Sequence, residues 1–582
     1  MRRHMIVAAL VTACLGTVGY QHVMSQAGEA SLTGVVTSEA EGSMEGVLVS
    51  AKAVGSTVRV TVVTDRQGRY VFPRERLAPG RYQLSIRATG YDRQDPGLAE
   101  VVGNKVTALN LQLQKAADVG AQLMNAEWIA SWPGTTEEKQ YASGCVACHS
   151  LEPIMRSRHD ARQWLAVLAR MSLHPNGSSL LMPFDSPSSP KYAQHLGSYA
   201  SQAEPTAARN VDDEGVPSVV SPRQAAQSAY LASINLGSDR TATTWKYALK
   251  TLPRPTGDET RVIMTEYDLP RRSTQPHDVT VDAEGMVWFE DFGDNWVGRL
   301  NPKTGEVKEW PIPTTRPFPP FHPGSLDIAL DRDGNPWLAM MRQASVAKFD
   351  KKTGNVTTYS LPPEYQQLGS TAIMVAPTAA GDVWVARLMQ GGGAQTNGET
   401  ASVHLLDPKT GRMKNYPVPS GVYGLEALPS GNAMVFSLQG NVLVEVDAAT
   451  GKNTVFTPPT ERAGPRRGAI DGAGRAWFAE YRGGKIGMFD PKTKAFREWA
   501  IPQFGPSDPY AAAIDKNGEA WTGGMYTDYL FRLNPATGKV TKYLMPTVNV
   551  NVRRVDVDGS ARPAVWIGAN HHAKIIKIEP LD

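Results

Sequence analysis

Short runs of β-branched and aromatic residues alternate with glycine-containing turns along most of this chain. Between Ser31 and Gln114 there are six or seven such runs, among them LTGVVTS, VRVTVVTD and GRYQLSIRATGY. Apolar and polar positions that alternate with a period of two are typical of half-buried strands, and short strands at this spacing are typical of a β-sandwich. The pattern therefore predicts a small β-sandwich over residues 29–115.

From residue 262 to the last residue, a longer pattern repeats seven times. In each copy a turn precedes an aromatic residue, at intervals of 41 to 52 residues: Trp288, Trp337, Trp384, Phe436, Trp477, Trp521 and Trp566. Each copy offers three strands and then a fourth, such as EWPIP or KYLMP. The seventh copy lacks its fourth strand, whereas EYDLP at 266–270 stands unpaired before the first copy. Because an early strand that completes the last sheet closes a ring and removes its exposed edges, we predict a seven-bladed β-propeller over residues 262–582.

Between the two β regions, the apolar residues take the three-and-four spacing of amphipathic helices. Helices are predicted at Ala121–Trp128, Asp160–Met171 and Ala225–Ile234. The interval from Asn176 to Pro222 is rich in Ser, Pro, Asn and Asp and is predicted to be a long loop.

A chain of 582 residues is expected to hold about three or four domains. The predicted fold class is multidomain and mainly β, in which a β-propeller follows a small β-sandwich and an α-helical domain. The predicted divisions are a signal peptide (1–27), the sandwich (29–115), the helical domain (117–240), a linker (241–261) and the propeller (262–582).

The N-terminus has the features of a secretory leader. Arg2 and Arg3 precede an apolar run from Met5 to about Val18, and Ser25-Gln26-Ala27 offers a small-x-small cleavage site. We therefore expect a periplasmic or secreted protein. A lipoprotein anchored through Cys14 is the alternative, because Val11-Thr12-Ala13-Cys14 resembles a lipobox.

The rest of the sequence argues against two classes of partner. Beyond residue 27 no stretch approaches the roughly 20 apolar residues of a membrane-spanning helix. The formal net charge is only +3, and no lysine or arginine cluster follows an aromatic stripe. We therefore expect neither a membrane span after signal cleavage nor a nucleic-acid partner.

The cysteines indicate a cofactor. Only Cys14, Cys145 and Cys148 exist, and the last two stand in GCVACHSLEP, directly before His149. Cys-x-x-Cys-His is the attachment signature of c-type haem, in which both thiols bond to the haem and the histidine ligates the iron. A thioredoxin-type pair would need a βαβ setting, and a zinc site would need a second pair of ligands. The motif therefore predicts one covalent haem c and an α-helical cytochrome c-like domain around it.

The sixth iron ligand has several candidates. Asp160 is a suitable N-cap for the helix that follows, and Trp164, Leu168 and Met171 then share one face, so Met171 could reach the iron. Met171 as an ordinary core residue is the competing interpretation. Met182, which precedes a proline, is the main substitute as ligand, and His159, His174 and His195 are weaker ones.

Two segments resemble known domain families. Gly34–Val36, Thr64–Tyr70, Pro79–Tyr82 and Gly90-Tyr91 match the pattern of the carboxypeptidase regulatory-like domain, whose members are mostly non-catalytic accessory modules. The haem motif, RSRHD at 156–160, Trp164 and Arg170-Met171 resemble the short c-type domains of quinohaemoprotein amine dehydrogenases. That resemblance implies Met171 as an iron ligand.

The repeat itself resembles virginiamycin B lyase and its relatives. The best preserved copies are PHDVTVDAEGMVWFED at 276–291 and PRRGAIDGAGRAWFAE at 465–480. The resemblance implies the opening of a streptogramin B lactone by elimination, with a histidine base beside a carboxylate-held magnesium ion. On this chain it implies His277 as the base and Asp291 and Glu480 at the carboxylate positions.

The chain departs from that family at the other base positions. Eleven residues before each aromatic residue of the later copies stand Leu326, Ile373, Leu425, Arg466 and Tyr510, so the family's second histidine is missing. His571 and His572 are candidate substitutes. Instead, a set of polar residues is predicted to surround Glu480 at the mouth of the propeller: His277, Arg466, Arg467, Tyr510, Arg553 and Arg554. This polar collar would suit an anionic or hydroxylated ligand. The competing interpretation is a solvated rim with no ligand.

Three functional hypotheses follow. The first is an exported electron-transfer protein or haem-dependent oxidoreductase, with a redox partner protein and an unknown small-molecule substrate at the propeller mouth. The second is a carbon–oxygen lyase that carries a cytochrome and depends on magnesium. The third is a non-catalytic binding scaffold. The haem motif favours the first, but no residue identifies the substrate or the direction of electron flow.

Overall fold

A computed structural model describes residues 30–95, 97–172, 174, 211–237, 243–317, 321–366, 370–389, 401–504 and 509–581. The predicted signal peptide, Cys14, Met182 and His195 lie outside these residues. Two compact units are present: the first contains the chain up to Val119 with Leu252–Glu266 and the last residues from Pro580, and the second contains Gly120–Thr251 and Tyr267–Glu579. Within the described residues, no helix is long and apolar enough to cross a bilayer.

The first unit contains two β-sheets packed face to face. Its strands are Ala30–Ser38, Gly42–Ser43, Leu48–Ala53, Val58–Val63, Arg69–Pro73, Gly80–Arg87, Tyr91–Arg93, Leu98–Val101, Thr107–Ala108 and Leu111–Lys115. One sheet is built around Ala30–Ser38, and the other contains Leu48–Ala53 between Val58–Val63 and Gly80–Arg87. Leu32, Tyr70 and Phe72 from the first sheet share a core with Val49 and Leu84 from the second. Sheets joined by one such core form the predicted sandwich.

Among its described residues the second unit contains six consecutive four-stranded antiparallel sheets, here named blades 1 to 6, and the strands of a seventh, named blade 7. Blade 1 contains Pro276–Val281, Val287–Asp291, Trp296–Asn301 and Glu306–Pro311, and blade 2 contains Ser325–Leu330, Pro336–Met340, Ser345–Phe349 and Val356–Ser360. Blade 3 contains Ser370–Pro377, Val383–Met389, Ser402–Asp407 and Arg412–Pro417, and blade 4 contains Gly424–Ala427, Ala433–Ser437, Val442–Val446 and Asn453–Phe456. Blade 5 contains Pro465–Ile470, Ala476–Glu480, Lys485–Asp490 and Ala495–Ala500, and blade 6 contains Pro509–Ile514, Ala520–Gly524, Tyr529–Leu533 and Val540–Leu544.

Blade 7 takes its fourth strand from before the repeat. Its own strands are Val552–Val557, Val565–Ala569 and Lys574–Pro580, and Val262–Asp268 follows them in the sheet order. Tyr267 stacks on Trp566 at 6.1 Å between ring centroids, and the Leu269 N–H donates to the Ala573 carbonyl at 2.8 Å. The predicted closure by the EYDLP strand is therefore present.

The blades form a closed ring. The first strand of each blade packs against the first strand of the next, and the first strand of blade 7 packs against that of blade 1. Seven such sheets in the described part of the chain are the arrangement of a β-propeller. The mainly β, multidomain fold predicted from the repeat is confirmed.

The repeated D-x-x-G-x-x-W motif closes a turn in each blade that carries it. In blade 1, Asp282 Oδ1 accepts the N–H groups of Glu284 and Met286, and Asp282 Oδ2 accepts the indole N–H of Trp288 at 2.8 Å. Gly285 has φ +79°, a conformation that favours glycine. The same Asp–Trp bond recurs at Trp337, Trp477, Trp521 and Trp566. The repeated sequence motif therefore forms the same hydrogen-bonded turn in each of these blades.

The residues before the ring are helical in part. The α-helices are Asn125–Ser131, Thr136–Ser143, Glu152–Met155, Ala161–Met171 and Pro222–Ile234, and short 3-10 turns span Val119–Gln122 and Gly144–Ala147. Asp160 caps the fourth helix as predicted, since its side chain accepts the Gln163 N–H at 2.8 Å. The last helix begins three residues before the prediction, because Ser221 supplies the N-cap and Pro222 fits the first helical turn.

Candidate functional site

The first strands of the blades begin with an irregularity that sets the candidate residues apart. The register with the neighbouring strand shifts between Pro276 and Val279 in blade 1, between Pro465 and Gly468 in blade 5 and between Pro509 and Ala511 in blade 6. Similar shifts occur in blades 2, 3 and 7. A β-bulge turns its residues out of the regular alternation, and bulges are frequent next to functional sites. The bulges contain His277, Asp278, Arg466, Arg467, Tyr510, Arg553 and Arg554.

His277 lies fully buried among polar groups. Its Nδ1 is 2.6 Å from Asp278 Oδ1, and its Nε2 is 3.2 Å from the Tyr510 hydroxyl. Glu290 Oε1 lies 3.9 Å from His277 Nδ1 and accepts the Asp278 N–H at 2.9 Å. Burial, followed by the positive charges of nearby arginines, lowers the pKa of His277 well below its usual value. His277 is therefore neutral at physiological pH.

Two buried ion pairs stand beside this histidine. Arg467 contacts Asp278 at 2.6 Å, and Arg554 contacts Asp327 at 2.6 Å. Burial raises the pKa of Asp327 to about 6, although the two arginines oppose the shift. The pairs join blades 1, 2, 5 and 7, so they fix the blades to one another at the centre of the ring.

Tyr510 lies under three guanidinium groups. The guanidinium carbon is 3.6 Å from the ring centroid for Arg466, 5.2 Å for Arg553 and 5.6 Å for Arg467. The hydroxyl lies 2.9 Å from that of Tyr423, which accepts from Arg466. Burial opposes ionisation, but the arginines outweigh it and lower the pKa of Tyr510 to about 8.

The two predicted carboxylates have partners other than His277, although Asp291 lies opposite Pro276 in the strand register. Asp291 accepts the N–H groups of Gln275 and Gly293 and pairs with Arg271 at 2.9 Å. Side chains alternate along a strand, so Glu290, and not its neighbour Asp291, lies on the side of His277. Burial raises the pKa of Asp291 to about 6, against the effect of Arg271.

Glu480 is also separate from His277. It pairs with Lys485 in the strand register, and burial and the nearby Glu498 raise its pKa to about 8. No hydrogen bond or ion pair among the described residues joins His277 to Asp291 or Glu480. The predicted collar of arginines, Tyr510 and His277 is present, but its acidic members are Asp278, Asp327 and Glu290, and Glu480 is not at its centre.

The cysteine motif forms a compact loop. Cys145 belongs to the turn Gly144–Ala147, and the Cys148 N–H donates to the Cys145 carbonyl at 3.3 Å. Both cysteines are half-buried free thiols. Burial, with the adjacent Cys148, raises the pKa of Cys145 to about 11, so the thiol is protonated at neutral pH. His149 Nδ1 lies 2.7 Å from the Ser150 carbonyl, which leaves Nε2 as the nitrogen with a lone pair.

Blade 7 holds this loop by its backbone. Asn551 Nδ2 donates to the Val146 carbonyl at 3.0 Å, and an Arg553 nitrogen donates to the Ala147 carbonyl at 2.9 Å. Asn551 has φ +57°, a left-handed conformation that costs free energy in most residues. Burial lowers the pKa of His571, and the charges of Arg553, His572 and His149 lower it further. The effect of His149 indicates that His571 lies near the same loop. His571 therefore faces the cysteine motif and does not serve as a second base beside His277.

The helix Ala161–Met171 has an incompletely covered apolar face. Trp164 is buried, Leu165, Val167 and Leu168 are half-buried, and Met171 is 38% exposed. The Trp164 indole nitrogen is buried without a hydrogen-bond partner in the described part of the chain. A haem would offer carboxylates to such a buried donor and an apolar face to such a helix. These residues therefore fit a haem.

A cleft of about 890 Å³ lies between the first helices and blades 4 to 6. Tyr481, Phe504 and Tyr526 contribute aromatic surface, and Lys139, Arg462 and Arg482 outnumber Glu461 among the charged residues. Ser143, which lines the cleft, is two residues before Cys145.

Sequence reasoning missed Asp278, Glu290, Asp327 and Tyr423 as members of the central cluster. Asp278 and Asp327 directly follow positions aligned between the copies, so the residue after each aligned position was the available signal. Tyr423 precedes its blade's first strand, and nothing in the repeat distinguishes it.

Comparison with known families gives one domain assignment. Residues 31–114 match the carboxypeptidase regulatory-like domain. No curated protein matches the chain.

Among solved structures, a streptogramin B lyase is 22% identical, with a TM-score of 0.46, over 56% of this chain and 100% of its own. A virginiamycin B lyase from Staphylococcus aureus is 20% identical, with a TM-score of 0.46, over 55% of this chain and 99% of its own. A catalytically inactive form of that lyase with quinupristin is 19% identical, with the same TM-score of 0.46, over 55% of this chain and 99% of its own. These are likenesses to the ring of sheets and carry nothing about activity. The chain thus begins its described part with a carboxypeptidase regulatory-like domain and continues into a propeller-type fold.

Proposed function

We propose that this chain is an exported c-type cytochrome that carries one haem c on Cys145 and Cys148 and exchanges electrons with a ligand of the propeller and a redox partner protein. The observation that carries the proposal is the way the cysteine loop is held. Asn551 and Arg553 bind it through the carbonyls of Val146 and Ala147, and neither thiol nor the His149 Nε2 makes a hydrogen bond among the described residues. In a loop that served only for packing, we would expect these three groups to be engaged in contacts within the protein.

The surrounding residues have definite roles in this proposal. His149 ligates the iron through Nε2, because its Nδ1 is held by the Ser150 carbonyl. Trp164 would donate its indole N–H to the haem, and Leu168 would pack against it. Met171 is the proposed second axial ligand, with Met182 as the alternative. When bound, the haem supplies one-electron redox chemistry.

The test is a pair of absorption spectra after export in a host that attaches haem covalently. We expect a coloured protein whose haem remains bound through denaturation, and we expect Cys145→Ala with Cys148→Ala to abolish that attachment completely. A colourless protein with two alkylatable thiols would refute the proposal.

The axial ligand needs its own variants. Methionine ligation gives the oxidised haem a weak near-infrared band, which Met171→Ala should abolish and Met182→Ala should preserve. The reverse result would transfer the ligand assignment to Met182.

Elimination of the virginiamycin B lyase type is the second candidate. The neutral His277 is the observation in its favour, because a general base must be unprotonated at the operating pH. Its Nε2, however, is occupied by Tyr510, and among the described residues it makes no hydrogen bond or ion pair with Asp291 or Glu480; the carboxylates beside it are Asp278 and Glu290. Lactone opening that requires magnesium, is indifferent to haem reduction and is lost in His277→Ala would establish this candidate instead.

A non-catalytic scaffold is the remaining outcome. Haem that is reduced in a substrate-dependent manner supports the oxidoreductase. Haem that exchanges electrons with proteins, and with no small molecule, would leave the ring of sheets as a binding platform.

A further inference from the structure

Four arginines are buried or largely buried at the centre of the ring, and only two have acidic partners. Arg467 pairs with Asp278, and Arg554 pairs with Asp327. Arg466 is 7% exposed and Arg553 is 4% exposed, yet no carboxylate of the described residues lies within 4.0 Å of either. A buried charge without a counter-ion is costly, so folded proteins normally pair it.

The groups that do contact these two arginines are neutral. Arg466 donates to the Tyr423 hydroxyl at 2.7 Å, and its Nε is buried without a hydrogen-bond partner. Arg553 donates to Asn551 Oδ1 at 2.7 Å and to the Ala147 carbonyl at 2.9 Å. Both also contact the sulfur of Met525, at 3.9 Å and 3.3 Å respectively.

The other titratable groups of the cluster do not supply the missing negative charge. Asp278 and Asp327 are already paired, and His277 is neutral. Burial and the charge of Asp278 raise the pKa of Glu290 well above its usual value, and burial raises the pKa of Glu426 to about 8. Burial also raises the pKa of Asp556, although the charge of Arg554 opposes this shift.

Tyr510 is the one group that could respond to this imbalance. Its ring centroid lies 3.6 Å from the guanidinium carbon of Arg466 and 5.2 Å from that of Arg553. With a pKa of about 8, the phenol is mostly protonated at neutral pH. The cluster therefore keeps a net positive charge.

We propose that Arg466 and Arg553 bind the carboxylate of a small organic anion beside Tyr510. Guanidinium groups present paired N–H donors that match a carboxylate, and they retain their charge when buried. The inference rests on the proposed ligand-binding role of the ring and names the chemical class of that ligand. It does not require the haem.

The cleft lies next to this cluster. Tyr481 lines the cleft, and the Arg466 guanidinium carbon lies 4.2 Å from its ring centroid. The charged residues that line the cleft are three basic ones and one acidic one, namely Lys139, Arg462, Arg482 and Glu461. Their net positive charge attracts an anion.

A carboxylate could also come from a haem propionate. The propionates of a porphyrin lie at the edge opposite the groups that bond to cysteine, and Arg553 contacts the backbone between the two cysteines. A haem attached there would carry its propionates away from Arg553, so we assign the site to a free anion.

The experiment follows the ionisation of Tyr510 by the ultraviolet absorbance of tyrosinate, assigned by its loss in Tyr510→Phe. Succinate is the probe, and neutral succinamide is the matched control. An anion beside the phenol disfavours phenolate, so saturating succinate should raise the midpoint of this titration by about one pH unit, and succinamide should leave it unchanged. Arg466→Gln and Arg553→Gln should each weaken succinate binding at least about tenfold, while the exposed Arg162→Gln should not.

The source of the carboxylate is decided by comparing haem-loaded protein with Cys145→Ala/Cys148→Ala protein. A free-anion site binds succinate in both forms. A site filled by a propionate binds it only in the haem-free form, which supports carboxylate binding but overturns the free-anion assignment. If succinate shifts the titration in neither form, the proposal fails, and this result needs no arginine variant to fold. A colourless protein that still binds succinate would refute only the haem.

Discussion

The centre of the ring and the helical segment that carries the cysteine motif are built in opposite ways. At the centre, His277, Asp278 and Arg467 are fully or almost fully buried, and each is held by a strand of a blade. In the helical segment, the helix Ala161–Met171 buries only Trp164, and Arg162 pairs with Asp212 and Glu214 at the exposed surface. The ring therefore positions charges by itself, whereas the helical segment is held to blade 7 through the cysteine loop and, in our proposal, is completed by a haem.

The contrast also separates two kinds of functional geometry. Bulges at equivalent points of successive blades bring polar residues distant in sequence to one point, and the sheets hold them rigidly. The cysteine motif needs only five consecutive residues. The chemistry of this motif depends on residues adjacent in the chain, and blade 7 of the ring provides the surface that holds it.

Replacing Arg467 should have the largest effect on stability. Arg467→Met leaves Asp278 buried without its partner, and breaking one side of a buried pair costs about 3–5 kcal/mol. Urea unfolding of the full chain measures the change. Adding Asp278→Asn to Arg467→Met should recover part of the loss, and Arg162→Met in the exposed pair should cause no measurable change. An Arg467 effect as small as that of Arg162 would remove the distinction between the two regions.

The pH dependence of stability should reveal Glu480. Its pKa is raised in the folded state to about 8 from an ordinary value of 4.5. The folded state therefore binds the proton more tightly, so stability should fall as pH rises from about 4.5 to about 8, by a few kcal/mol. Glu480→Gln should flatten this part of the profile, measured as the urea midpoint at each pH. An unchanged slope would mean that the carboxyl is ionised in the folded protein at neutral pH.

The connection between the regions can be weakened at Asn551. Asn551→Ala removes the bonds to the Val146 and Met525 carbonyls and puts alanine at φ +57°, so we expect a loss of about 1–3 kcal/mol. Asn551→Gly removes the same bonds but tolerates the backbone conformation, and it should be less harmful. Amide exchange should show increased opening of residues 144–149 in both variants. Unchanged exchange there would show that the loop does not depend on blade 7.

The smallest effect on global stability should come from loss of the haem. In Cys145→Ala/Cys148→Ala protein, the amides of Ala161–Met171 should exchange at least about tenfold faster than in haem-loaded protein, because the apolar face loses its cover. Amides in the blades should be unaffected. Equal exchange of this helix in both proteins would argue that its half-buried face needs no haem.

Much of the fold could be read from the sequence because it repeats. The interval between aromatic residues, the turn signature and the unpaired EYDLP strand predicted the sheets and the closure by Tyr267 and its neighbours. Asp160 was recognisable as a cap because capping is a local interaction. Asp291, by contrast, was placed beside His277 by motif alignment, but the alternation of side chains puts Glu290 there.

The sequence by itself determined the order of the domains, the hydrogen-bonded turn of the repeat and the cysteine motif, because each depends on residues close together in the chain. Only the tertiary structure decided which charges meet. Arg467 and Asp278 are separated by 189 positions and come into contact only because the ring brings blades 1 and 5 to its centre. Burial there also decided that His277 is neutral and that Arg466 and Arg553 lack counter-ions. Such effects depend on the sum of all neighbouring charges and on the exclusion of water, which no single stretch of sequence contains.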